Sequence, residues 1–344
     1  MSAPAATAPK AGFLLAPFMV SRNDRAAWQV LNTLVPYLLL WWLALRAAAV
    51  SLWLLPPLIL LLGLFSVRCF SLMHDCGHHS LFRSQWLNRI FGFLFGLING
   101  VPQVGWSRDH AYHHRTNGDW ERYRGVVHVL TVDEYLQLGQ VQQRLYALLR
   151  HPLMAIPGGF HYLAFKPRLD LLLGLLAPAD AKPWHSKAEF QDMVLSSLVW
   201  LGALFVLGRW LGFGIVLGIY AAVLALAATV FIAVFFVQHI FEASYARDSA
   251  GWSYLDGALQ GTSHLRLPAL LQWFTADIGY HNIHHLSERI PNYQLRACHE
   301  RNQHLLCDVP TLTLGSMLAC SRFLLWSPSR GHLVTIASVM EPSS

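Results

Sequence analysis

Charge is scarce in this chain. Of its 344 residues, 13% are Asp, Glu, Lys or Arg, where a soluble domain carries about 25%. With a mean hydropathy of +0.38, that scarcity argues against an ordinary soluble protein and for one membrane-embedded unit, a single domain over residues 1–344. Cysteine is scarce as well. Cys69, Cys76, Cys298, Cys307 and Cys320 are odd in number and form no Cys-x-x-Cys pair, which argues against a disulfide framework and a zinc knuckle. A basic arm is missing, so the net charge of +6 points to anionic lipid rather than nucleic acid. There is no internal repeat or low-complexity linker. A secretory pattern is missing too: the apolar stretch 13–20 is short and broken by Pro17, and Arg22 and Arg25 follow it. Residues 1–27 are expected to form a flexible or interfacial N-terminus.

What is abundant is apolar sequence. Four long runs cover about 28–45, 50–73, 193–208 and 211–238. A bilayer core about 30 Å thick needs roughly 20 helical residues. Residues 46–49 and 209–210 join the runs tightly, which predicts two helical hairpins. Pro36, Pro56 and Pro57 are candidate kink points in the first. Two further stretches, 90–106 and 153–176, are interrupted by Gly, Pro and charge and are expected to be interfacial or re-entrant. Within the second, Ile156-Pro-Gly-Gly159 lacks the histidine of a haem-binding His-Pro-Gly-Gly, so no fused cytochrome is expected. Residues 74–190 hold 12 Lys/Arg and the region after 239 holds seven, whereas the tight turns hold only Arg46 and Arg209. By the positive-inside rule both termini and the segments between hairpins face the cytoplasm.

Histidine is concentrated. His74-Asp-Cys-Gly-His78-His79, His110-Ala-Tyr-His113-His114 and His281-Asn-Ile-His284-His285 hold nine of the 18 histidines, where about one would be expected at the average frequency. Positions i, i+3 and i+4 share a helix face. His110, His113 and His114 therefore point together, as do His281, His284 and His285, and the pair His74 and His78. His79 is rotated away and is at most an additional ligand. Cys76 falls on another face from His74 and reads as packing. His239 ends the fourth run. From Val50 to His74 is about 36 Å of helix, and from Leu211 to His239 about 42 Å, so both histidines emerge at one membrane face. These nine candidate ligands, His74, His78, His110, His113, His114, His239, His281, His284 and His285, overfill closed four-coordinate zinc sites. Two redox metals, each held by four or five imidazoles with one position open, fit the count, although imidazole suits iron, copper, nickel and zinc alike. Asp75, Asp109, Glu242 and Asp277 are placed to accept the second ring N–H of a ligand. Trp106 and Trp273 either line an apolar channel or anchor at headgroups.

These residues resemble the membrane-bound fatty-acid desaturases, and within them the bacterial form of the acyl-lipid, delta-12/omega-6-type branch. The matching words are 74–82, 106–114, 131–135, 237–242, 261–263 and 271–295. The chain departs from many relatives after the second box, where it reads Asn117-Gly-Asp-Trp-Glu, and at Asn282, where two adjacent histidines are common. The apolar runs, their tight turns and the charge distribution predict an all-α membrane protein: about four transmembrane helices in two hairpins, plus a cytoplasmic helical cap carrying the metal site. The resemblance implies a non-haem di-iron centre with O₂ as co-substrate, the nine histidines as its ligands, and a ferredoxin or cytochrome b5 type electron donor. The implied reaction is oxidoreductase chemistry in lipid metabolism: a cis double bond placed in a lipid-linked fatty acyl chain, at a bacterial inner membrane. The alternative within the superfamily is a fatty acyl, alkane or carotenoid hydroxylase or oxidase. A metal transporter would carry its ligands within the bilayer along a path; here they are expected outside it on one face.

Overall fold

The computed structural model describes residues 12–125 and 128–340; residues 1–11, part of the expected N-terminal segment, lie outside them. Residues 12–22 are docked rather than free. The Leu14 N–H donates to Asn302 Oδ1 at 2.7 Å, the Ser21 hydroxyl donates to the Ser80 carbonyl, and Leu15 is buried beside Leu286 and Leu295. An apolar side chain in a short segment found a cap surface that the local sequence does not announce.

The first hairpin pairs α1 (Asn23–Ala48) with α2 (Leu55–Gly77). Asp24 in the first turn of α1 and Arg46 in its last complement the helix dipole. Pro36 lies inside α1, but Pro56 and Pro57 fall in the first turn of α2, where a missing N–H costs no hydrogen bond. The two later prolines therefore begin a helix rather than kink one. After α2 the chain reverses at His79, with φ +56°, and enters α3 (Gln85–Asn99). A left-handed Gly100 stops α3, and α4 (Gln103–Thr116) follows. Neither α3 nor α4 reaches the length and hydropathy of a crossing; among the described residues only four helices do.

Strand β1 (Leu130–Thr131), α5 (Val132–Leu136) and α6 (Gln140–Leu149) precede the second interrupted apolar stretch. That stretch forms α7 (Ala155–Phe160), a π-helical turn His161–Phe165, and α8 (Lys166–Leu176). The second hairpin is α9 (Lys187–Leu211) and α10 (Phe213–His239). Its turn sits slightly later than expected, at Gly212, whose φ of +94° suits a residue without Cβ. All four long helices leave large apolar side chains exposed, among them Leu38, Trp42, Phe205 and Trp210. Such faces are stable against lipid rather than water.

The cap beyond α10 contains α11 (Tyr254–Leu259), β2 (His264–Arg266), α12 (Ala269–Phe274), α13 (His281–Leu286), α14 (Asn292–Arg301), β3 (Thr311–Thr313), α15 (Leu314–Cys320), β4 (Phe323–Ser327) and β5 (His332–Thr335). The fold is helical as expected, with two small sheets added. One is ordered β1-β4-β5 and the other pairs β2 with β3 in parallel. Helix α2 is central: it packs against α1, α3 and α10, which brings its C-terminal end beside that of α10.

Candidate metal centre

The site is built where helices stop. His74 lies in the last turn of α2 and His78 caps that helix, so their ring centroids are 4.7 Å apart. The last two turns of α4 present His110, His113 and His114, all buried. Helix α13 is six residues long and entirely buried, and it presents His281, His284 and His285. His239 is the last residue of α10. Gln238 beside it donates to the Ile278 carbonyl at 2.8 Å, which ties the end of α10 to the segment leading into α13.

All nine side chains converge, and they fall into two sets. His74, His78, His110, His114 and His284 form one; His113, His239, His281 and His285 form the other. Within each set one ring nitrogen per residue lies within 4.8 Å of every other. In the first, His110 Nε2 and His114 Nε2 are 3.0 Å apart; in the second, His239 Nε2 and His281 Nε2 are 2.9 Å apart. His114 and His285 stack across the sets at 4.1 Å. The second and third boxes serve both sets, while the first box serves one. His79 is exposed and belongs to neither.

The imidazoles fit a metal. Buried ring nitrogens of His74, His78, His113, His114, His281, His284 and His285 have no hydrogen-bond partner. An orphaned buried acceptor costs about 1–3 kcal/mol, so seven residues carrying them in one place mark a site completed by a bound group. Burial pushes His110, His113, His114, His281, His284 and His285 well below the usual imidazole range. They are neutral at pH 7 and offer lone pairs, as metal ligation requires.

Three second partners orient the rings. Asp75 Oδ1 accepts from His74 Nδ1 at 3.2 Å, while its Oδ2 accepts from the backbone N–H and the side-chain amide of Asn292. Glu288 Oε2 is 3.3 Å from His78 Nδ1, and this contact holds the Glu288 carboxyl below its ordinary range. The Gly261 carbonyl faces His239 Nδ1 at 3.2 Å. Each partner engages Nδ1 and leaves Nε2 aimed at the set.

Of the four carboxylates expected in that role, only Asp75 touches a ligand. Asp109 is 72% exposed and pairs with Arg108 at 2.8 Å; Arg108 also binds Glu189. Glu242 is exposed. Asp277 sits near Arg68, Arg296 and Gln272 rather than a histidine. Glu288 and Gly261 were not anticipated. The sequence signal for Glu288 was its place three residues after the third box, and for Gly261 its place in a family-like word.

An apolar cavity of about 430 Å³ borders both sets. His74, His110, His113, His239 and His281 line it, with Phe70, Trp106, Phe231 and Phe235. Trp106 stacks on His110 at 4.7 Å, so it is a channel wall. Trp273 instead lies under the Arg68 guanidinium at 3.8 Å. The volume is in the range of small-molecule sites, and the lining is suited to hydrocarbon.

The comparisons with known proteins agree with this geometry. The sequence pattern of the family described as "Fatty acid desaturase" matches residues 51–311, which includes all nine histidines. A Bacillus subtilis (strain 168) protein named "Fatty acid desaturase" is 32% identical over 94% of this chain and 90% of its own length. The "sn-1 oleoyl-lipid 12-desaturase" of Anabaena variabilis is 23% identical over 82% of this chain and 77% of its own. The "sn-2 acyl-lipid omega-3 desaturase (ferredoxin), chloroplastic" of Helianthus annuus is 30% identical over 74% of this chain and 56% of its own length. A buried two-set histidine site beside an apolar cavity, an integral membrane helix frame and these matches lead to one assignment: the chain belongs to the fatty acid desaturases, a family of oxidoreductases.

Proposed function

We propose that this desaturase introduces a cis double bond into a lipid-linked fatty acyl chain, with two irons held by the nine histidines. The carrying observation is the apolar cavity bordered by both histidine sets. A methylene chain has no polar handle, so selectivity must come from shape and position. Phe70, Trp106, Phe231 and Phe235 would hold the chain and exclude water, with its reacting carbons near His74, His110, His113 and His281. The five-histidine set would hold one iron and the four-histidine set the other, with Asp75, Glu288 and the Gly261 carbonyl fixing ring tautomers. When bound, the iron pair would supply O₂ activation for removal of two hydrogens. The balanced reaction is one –CH₂–CH₂– unit, O₂, two electrons and two protons giving one alkene and two waters. A separate small redox protein of ferredoxin or cytochrome b5 type would deliver the electrons; relatives whose names include each donor are among the matches.

Expression with a compatible donor is expected to yield new cis alkenes in membrane acyl chains, resolved by mass spectrometry of double-bond positions in lipid extracts. A hydroxylated acyl chain as the main product, without a new alkene, would overturn the reading.

The boxes and both termini face the cytoplasm in this proposal, at a bacterial inner membrane, because the segments between and after the hairpins carry the Lys/Arg excess. Cysteine-accessibility labelling is expected to place positions in the 46–51 turn and at Gly212 outside and His79 inside. Opposite accessibility of these positions would reverse the orientation.

A further inference from the structure

The Pro-Gly-Gly word at 157–159 is absorbed neither by the metal site nor by the helix frame, yet both glycines line the cavity. They differ in what surrounds them. A Cβ on Gly159 would come within 2.7 Å of Ala228 Cβ, so this glycine permits α7 to approach α10 closely. A Cβ on Gly158 would meet nothing within 4 Å, and Gly158 is exposed. Its missing side chain therefore leaves space open where the cavity reaches the surface.

Two other lining residues are exposed and belong to the same opening. Tyr162 is 42% exposed. It lies four residues beyond Gly158 on the same helical face, in the π-helical turn. Its hydroxyl is within electrostatic reach of Asp109 on α4, which also lines the cavity. By contrast, lining residues Val67, Ala228, Thr275 and His281 are buried. Exposed lining marks the mouth and buried lining the closed end. On the segments that carry Gly158 and Tyr162, the apolar side chains Ile156, Phe165 and Leu169 are exposed, and the Lys166–Asp170 ion pair lies among them, with Asp170 within electrostatic reach of Tyr162. Exposed apolar side chains interleaved with ion pairs are the composition of a surface at the membrane interface, where acyl chains meet headgroups.

We infer that the mouth formed by Gly158, Tyr162 and Asp109 is a lateral portal through which an acyl chain of a membrane glycerolipid enters the cavity. The inference rests on the cavity being the acyl site proposed above. Gly158 is its size determinant: glycine leaves the passage open, and a large side chain there fills it without disturbing the α7–α10 contact. The rim, with the Tyr162 side chain and the Arg108–Asp109 pair beside exposed apolar side chains, suits a chain that stays attached to a headgroup at the interface.

The test uses the metal-loaded protein in phosphatidylcholine nanodiscs that contain phosphatidylcholine with a mid-chain diazirine. Photolysis of the wild-type protein is expected to label peptides from α10 carrying Phe231 and Phe235. Gly158→Phe is expected to reduce that labelling about tenfold or more, since a filled apolar passage rejects added volume at that scale, while metal content stays at the wild-type level. Tyr162→Trp is the second obstruction and decides the matter if Gly158→Phe loses its metal. Undiminished α10 labelling in the metal-loaded variants would overturn the portal. So would α10 labelling by a soluble acyl-thioester diazirine with none by the phospholipid. Labelling that follows these expectations in a protein forming no alkene in cells would remove the proposed reaction and leave the portal standing.

Discussion

His284→Ala and His113→Ala are each expected to lose bound iron and to lower activity by more than about 100-fold. Even residues one step removed from a metal cost 10–100-fold when changed, and these two supply candidate ligands directly. They probe different sets, since His284 belongs to the five-histidine group and His113 to the four-histidine group. Wild-type protein is expected to hold about two irons per chain, from two open sites sharing nine imidazoles. Each variant should lose the iron of its own set first. His128→Ala and His332→Ala lie outside both sets and should leave metal content unchanged. Elemental analysis with activity on the same samples checks all four. Stoichiometric zinc without iron in active protein would end the di-iron proposal.

Asp75→Ala is expected to have the second largest effect, through stability and metal together. Asp75 is 2% exposed and links two helices, α2 and α14. It orients His74 on α2, and from there it accepts the first backbone N–H of α14 at 2.7 Å and the Asn292 amide at 2.9 Å. Helix N-termini leave backbone donors without intrahelical partners, so one carboxylate both caps α14 and holds a ligand ring. Its removal should cost roughly 2–5 kcal/mol, the scale for breaking a buried hydrogen-bonded network. The thermal unfolding midpoint in detergent should fall, and iron affinity should drop about 10–100-fold. Glu288→Gln is the control. Glu288 is 41% exposed at its side chain and orients only His78, so affinity should fall without a comparable drop in midpoint. Equal midpoint losses in the two variants would show that Asp75 has no special linking role.

Much of the site was legible because its information is local. Spacings i, i+3 and i+4 fix the facing of the histidines on α4 and α13, and crossing length puts His239 at the same face as His74. Asp75 was legible for the same reason, being adjacent to its histidine. Carboxylates chosen by nearness in sequence otherwise failed. Asp109 is the neighbour of His110 yet turns outward to Arg108, and Asp277 found arginine company. Glu288 reaches His78 across more than 200 residues of chain, after α13 has ended at an extended Ser287. Its place three residues after the third box marks it as near the site, but nothing local tells which histidine it meets. Strands β1, β2 and β3 were invisible for a related reason: β1 has two residues and β2 and β3 three each, too few to show alternation. The docking of Leu15 likewise depends on a surface assembled from α13 and α14.

The division of histidines between the two sets also bears on synthesis of the chain. Four of the five members of the first set, His74, His78, His110 and His114, emerge within the first 116 residues. The second set has only His113 until residue 239 and is complete only at residue 285. Metal-binding free energy is folding free energy where no site exists beforehand. The ribosome therefore delivers the two sites in sequence. An early, nearly finished one can form on the N-terminal hairpin and α4, and the closing residues of both arrive together on α13. A nascent chain stalled before His281 would hold four of the five ligands of the first site and only two of the four of the second.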